Sequence, residues 1–154
     1  MRAVMKAADS YVRLTKMRLY AYCDLKMKIQ NDLLDVEDLR REGVSGRSRD
    51  VVRILGGDGG VVKLMPEEIQ EIRINKILRE IDESVREVDR IDTLIKSISD
   101  EPYAEIVPLK FFEGLAEQAI ALRVNCDVST VYRHMGRLVR KLSVRLYGVG
   151  AIGE

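Results

Sequence analysis

Between residues 3 and 42 the chain contains neither proline nor glycine, and Leu19, Tyr22, Leu25, Ile29, Leu33, Val36 and Leu39 recur at intervals of three and four. That spacing lines one side of a long helix. The composition then shifts to Gly-Val-Ser-Gly-Arg-Ser-Arg and Gly-Gly-Asp-Gly-Gly, so residues 43–65 read as a linker or loop. Pro66-Glu67-Glu68 opens a second long helix, with proline near the first turn and acids beside the positive end of the helix dipole. From Ile74 the apolar residues fall into heptads. Ile74, Ile81, Val88 and Ile95 take one seam position, and Ile77, Ile91 and Ile98 take the other, interrupted by Ser84. Periodicity alone leaves open whether this seam packs on the first helix or on another copy of the chain.

Ser99-Asp100-Glu101-Pro102 has the form of a helix stop and a new start. Beyond it, Tyr103 to Phe112 supplies an apolar helix that Pro108 should kink, and Gly114 closes the segment. Leu115 to Val124 forms the next helix and Val128 to about Tyr147 the last. The expected fold is all-α, a long coiled-coil-like helical hairpin over residues 1–98 followed by a helix-turn-helix domain over 99–148 and a tail at 149–154.

Charge adds an asymmetry that the formal net value of +1 conceals. The first thirty residues are basic, the heptad helix is acidic, and the last helix carries Arg133, Arg137, Arg140, Lys141 and Arg145. The two cysteines, Cys23 and Cys126, match neither a disulfide framework nor a metal spacing, and a single histidine leaves too few soft ligands for zinc. No metal and no cofactor is expected. No paired carboxylates or nucleophile with a base emerge, so the chain does not read as an enzyme. The glycine-rich stretch is not followed by Gly-Lys-Ser/Thr and follows no strand pattern, which sets a nucleotide site aside. With no apolar run of about twenty residues and no signal-peptide core, the expectation is a cytoplasmic protein without membrane contact.

The chemistry concentrates in the last two helices. Ala121 is small where two helices would cross closely, and Asn125 stands in the turn, where a left-handed backbone is needed. Asp127 is placed as N-cap of the last helix, with Cys126 and Val131 as a hydrophobic staple around it. Val131, Met135, Leu138, Leu142 and Leu146 make the buried stripe of that helix. A recognition helix reads bases with its N-terminal residues and grips phosphates with its flanks. Ser129, Thr130, Arg133 and His134 are therefore the base-edge candidates, each good bidentate pair contributing ~1–3 kcal/mol of discrimination. Arg137, Arg140, Lys141 and Arg145 are either phosphate contacts or ion pairs with the acidic helix. For Tyr132 a phosphate contact stands beside partial burial against the preceding helix.

Asp100-Glu101-Pro102-Tyr103, Lys110-Phe111-Phe112-Glu113-Gly114, Asn125 to Val131 and Arg137 to Leu142 together resemble the C-terminal domain of phage late-gene transcriptional regulators of the ArpU and RinA type. That domain is similar to region four of bacterial sigma factors. The resemblance is specific over residues 99–147, and it implies binding to a phage or prophage promoter region. Ala116-Glu117-Gln118-Ala119 stands where that family usually has a more polar helix start, and Leu122-Arg123-Val124 replaces an acidic pair.

The expected function is a sequence-specific DNA-binding transcription regulator with double-stranded DNA as its partner, dimeric through the heptad helix and able to recruit RNA polymerase. Two alternatives stay open: a small terminase-like DNA-packaging subunit, or an interaction module that binds RNA polymerase without touching DNA. A basic amphipathic last helix could also suit a membrane surface or a partner groove, but the preceding helix and turn make that the lesser reading.

Overall fold

The computed structural model describes residues 2–43, 53–55 and 61–153. Helix α1 runs from Arg2–Glu42, an uninterrupted length consistent with the absence of proline and glycine there, and it stops at Gly43, whose φ of 58° only glycine adopts freely. Two three-residue strands follow, β1 (Arg53–Leu55) and β2 (Val61–Lys63), paired antiparallel with Ile54 opposite Val62. Helix α2 spans Pro66–Ser97. Three further helices, α3 (Ile106–Phe111), α4 (Glu117–Arg123) and α5 (Val128–Tyr147), lead to a short 3-10 turn at Gly148–Ala151.

Among the described residues the regular structure is thus helical apart from this small ladder, with two long helices packing together. The ladder modifies the expectation of a plain loop over 43–65. Short triplets with β-branched Ile54, Val61 and Val62 on either side of Gly-Gly-Asp-Gly-Gly suffice to pair, a signal that the glycine content masks in the sequence. The rest of that expected loop, residues 44–52 and 56–60, lies outside the described residues.

By packing, the chain divides into two units, and the division does not fall at residue 98. One unit joins the first 25 residues to everything from Glu87 onward. Its core comes from Leu19 on α1, Ile91, Leu94 and Ile98 on α2, Ile106, Val107, Leu109 and Phe111 on α3, Ile120 and Ala121 on α4, and Val131, Met135, Leu138, Val139 and Leu142 on α5. Burying each large aliphatic side chain contributes about 1.5–3 kcal/mol, so the C-terminal helices owe their stability partly to residues nearly a hundred positions upstream. Arg18 ties the ends together. Its guanidinium donates to both carboxylate oxygens of Glu87, at 2.6 and 2.8 Å, and stands over the Tyr147 ring at 5.7 Å. The carboxylate holds the Arg18 proton more firmly than usual. Tyr147 in turn packs on Tyr11 with ring centroids 4.9 Å apart.

The expected tail at 149–154 is folded through residue 151. Ala151 is buried, and a Cβ on Gly150 would come within 3.2 Å of the Tyr11 ring. The chain end therefore lies against the start of α1, a contact with no local signature. Pro108 does not kink α3 either, because the helix begins only at Ile106 and the proline falls in the first turn, where its missing N–H is not needed.

The second unit, residues 26–86, is built differently. Its buried side chains among the described residues are Val36 and Asp32, the latter held by the Lys28 ammonium, which also lies 3.5 Å from Glu80. The seam residues Ile74, Ile77 and Ile81 stay half-buried, and Leu33, expected on the packed side of α1, is exposed. Gln70 donates its side-chain amide to the Leu39 carbonyl, joining the two helices within this unit. The first turn of α2 closes with the Met65 N–H donating to Glu68 Oε2 at 2.8 Å.

Candidate nucleic-acid interface

The α4–α5 connection is set by three backbone features. Val124 donates its N–H to the Ile120 carbonyl at 2.9 Å, and Cys126 donates to the Ala121 carbonyl at 3.0 Å, which closes the end of α4. Between them Asn125 takes a φ of 56°, the left-handed conformation its sequence position demands. Asp127 then turns extended, at φ −75° and ψ 150°, and its carbonyl receives the Thr130 and Val131 N–H groups. Asp127 is the N-cap by position, but its side chain makes no capping hydrogen bond. The backbone starts the helix without it. Ala121 is buried in the shared core, where a larger side chain would force α4 and α5 apart.

At about 100° per residue, the buried stripe Val131, Met135, Leu138, Val139 and Leu142 leaves Ser129, Arg133, Gly136, Arg137 and Arg140 on the opposite face of α5. Ser129, Arg133, Gly136 and Arg140 are exposed, while Thr130 and Arg137 are half-buried. Arg133, Gly136, Arg137 and Arg140 outline a cleft of about 470 Å³. Tyr132 is 56% exposed, which leaves its ring partly covered and its hydroxyl end open to a partner.

The cations of α5 fall into two groups. Arg137 donates to Glu101 Oε2 at 2.6 Å and to the Pro102 carbonyl at 3.1 Å. Lys141 is bound to the other oxygen of the same carboxylate. Arg145 donates to both the carbonyl and the hydroxyl of Ser97, at 2.6 Å each. These three fasten α5 to the segment at and beyond the end of α2. Arg133 and Arg140 make no ion pair or hydrogen bond among the described residues, and they stand two helical turns apart on the outer face.

His134 belongs to the fastened side. Its ring packs on Tyr103, with centroids 4.6 Å apart, and its Nδ1 lies 3.2 Å from Arg137 Nη2. A guanidinium only donates, so Nδ1 is the acceptor and the ring is neutral, with its proton on Nε2. Burial, reinforced by Arg137 and Arg133, holds the imidazole pKa below its usual value. On the far side, Lys110 and Glu117 pair at 2.8 Å between α3 and α4, raising the ammonium pKa and lowering that of the carboxylate.

Gly136 sits in the middle of α5. A glycine there costs about 1 kcal/mol against alanine, and a Cβ at this position would meet nothing within 4 Å, so the packing of the chain itself does not require it. Its effect is to leave the outer face low between Arg133, Arg137 and Arg140. Arg123 and Leu122, the latter 85% exposed, extend the open surface at the end of α4. The signal in both cases was a residue type unsuited to its place: glycine inside a helix, leucine in water.

Among the described residues no three His, Cys, Asp or Glu side chains are grouped to hold a metal ion, and no helix is long and apolar enough to cross a membrane. No family model matches the chain, and neither the curated proteins nor the solved structures gave a match.

Proposed function

We propose that α4 and α5 act as a helix-turn-helix that binds double-stranded DNA, with α5 in the major groove, and that the protein is a sequence-specific transcription regulator of the phage ArpU and RinA type. One observation carries the reading: Arg133 and Arg140, without partners among the described residues, project from the outer face of α5 on either side of the bare backbone of Gly136. The missing side chain at Gly136, between two guanidinium groups unpaired among the described residues, suits close approach of a phosphate backbone or groove edge. Base reading falls to Ser129 and Arg133 at the exposed start of the helix, with Thr130 at the margin. His134, Arg137, Lys141 and Arg145 position α5 rather than bind.

Two such helices reading two half-sites need a dimer. The half-open seam of Ile74, Ile77 and Ile81 in residues 26–86 favours association through that unit, since a two-helix pair buries too little apolar surface alone. Selection of bound fragments from a genomic library, repeated across salt concentrations, tests the whole reading. A recurrent motif and a log–log salt slope of about −0.9 per contacted phosphate are expected. A flat salt response rejects DNA as the ligand, and solution mass showing a ring of many subunits moves the assignment to a terminase-like packaging subunit.

A further inference from the structure

Arg140 borders two cavities. One is the outer cleft with Gly136; the other, of about 280 Å³, lies between the start of α1, α5 and the 3-10 turn. Ala8, Val12, Val144 and Ile152 give this second cavity an apolar lining, and Asp9 and Arg140 bring one charge of each sign to it. Asp9 and Arg140 are not paired with each other, and neither has a hydrogen bond or ion pair among the described residues. Lys141 also reaches the cavity, but its ammonium is bound to Glu101. A cavity of about 150 Å³ holds benzene, so 280 Å³ suits a body of that size with polar groups added. A hydrocarbon would leave both charges unused, and a simple carboxylate would face Asp9 as well as Arg140. A zwitterion answers both.

We infer that this cavity binds a small aliphatic α-amino acid, its carboxylate on Arg140, its ammonium on Asp9 and its side chain over Val12 and Val144. The second half of the inference rests on the proposed DNA-binding reading: the bound amino acid takes Arg140 away from the outer cleft, so ligand and duplex DNA oppose each other. By linkage, each weakens the other by the same factor.

The test uses the full chain with methyl labels, and L-leucine, hexanoate and pentylamine as probes. Leucine is expected to shift the Ala8, Val12 and Val144 methyl signals saturably, at least about tenfold more tightly than either single-charge analogue. No saturable shift, or equal binding of hexanoate, overturns the site. Asp9→Asn, a change at an exposed position, is expected to weaken leucine about tenfold and to leave duplex affinity without leucine unchanged; undiminished leucine binding in this variant overturns the assignment of the ammonium. Saturating leucine is expected to weaken duplex binding at least about fivefold. Indifference of DNA binding to leucine overturns the competition. A chain that binds leucine but no duplex at all refutes the DNA reading while the methyl shifts uphold the site.

Discussion

Arg137 Nη1 donates to Glu101 Oε2 at 2.6 Å, which removes from the exposed face of α5 a cation that the sequence places squarely on it. The same carboxylate holds Lys141, so one acid controls how much positive charge the helix shows to a partner. Glu101→Gln should free both cations. The expected result is tighter duplex binding with a salt slope steeper by up to about 2, one for each released cation that finds a phosphate. Because Arg137 and Lys141 are 39% and 40% exposed, the stability lost should be at most about 1 kcal/mol. Filter binding across salt, with a thermal melt beside it, checks both numbers, and weaker binding by the variant would contradict the division of cations.

Arg133→Ala and Arg140→Ala should each flatten the salt slope by about 1, whereas Arg145→Ala should leave it unchanged, since Arg145 is spent on Ser97. The first two differ in kind. Arg133, near the start of α5, should also lose ~1–3 kcal/mol of discrimination at one base pair, and Arg140 should weaken all sequences alike. Competition binding against single-base variants of the selected site distinguishes them.

His134 gives the protein an acid-side weakness. Its folded pKa lies below the value of the unfolded chain, so the unfolded state takes up the proton more readily. The stability it supplies is fully present above the unfolded pKa of about 6.5 and is lost as pH falls through and below it. The imidazole signals should titrate with a midpoint below that of a free histidine. In thermal melts His134→Gln should show a smaller drop between neutral pH and pH 5 than the parent; an identical drop would place the sensitivity elsewhere.

Ser143 on α5 is completely buried, and its hydroxyl has no hydrogen-bond partner among the described residues. An unsatisfied buried hydroxyl carries a desolvation penalty of about 1–3 kcal/mol. Ser143→Ala should therefore raise stability, by about 1 kcal/mol once the lost packing of one oxygen is counted. Denaturant unfolding measures it, and a destabilised variant would show that the hydroxyl is satisfied in solution.

The sequence alone determined what local physics controls. Helix lengths follow from proline, glycine and apolar spacing, and α1 and α5 end where these say. The turn between α4 and α5 is fixed by Asn125, because few side chains tolerate its backbone, and the buried stripe of α5 is a matter of 3.6-residue arithmetic.

Only the tertiary structure decided which charges remain available. Arg133, Arg137, Arg140, Lys141 and Arg145 are alike as basic residues of one helix, yet Glu101 and Ser97 hold three of them and leave two. Those partners lie thirty-six to forty-eight residues upstream, a separation at which no periodicity or spacing rule operates. The same holds for the core under α5, which takes Leu19 from α1, and for the chain end that closes a cavity over Ala8. Local spacing chose the helix and its faces; long-range pairing, settled only when the chain collapsed, chose which residues on the outer face were left unpaired.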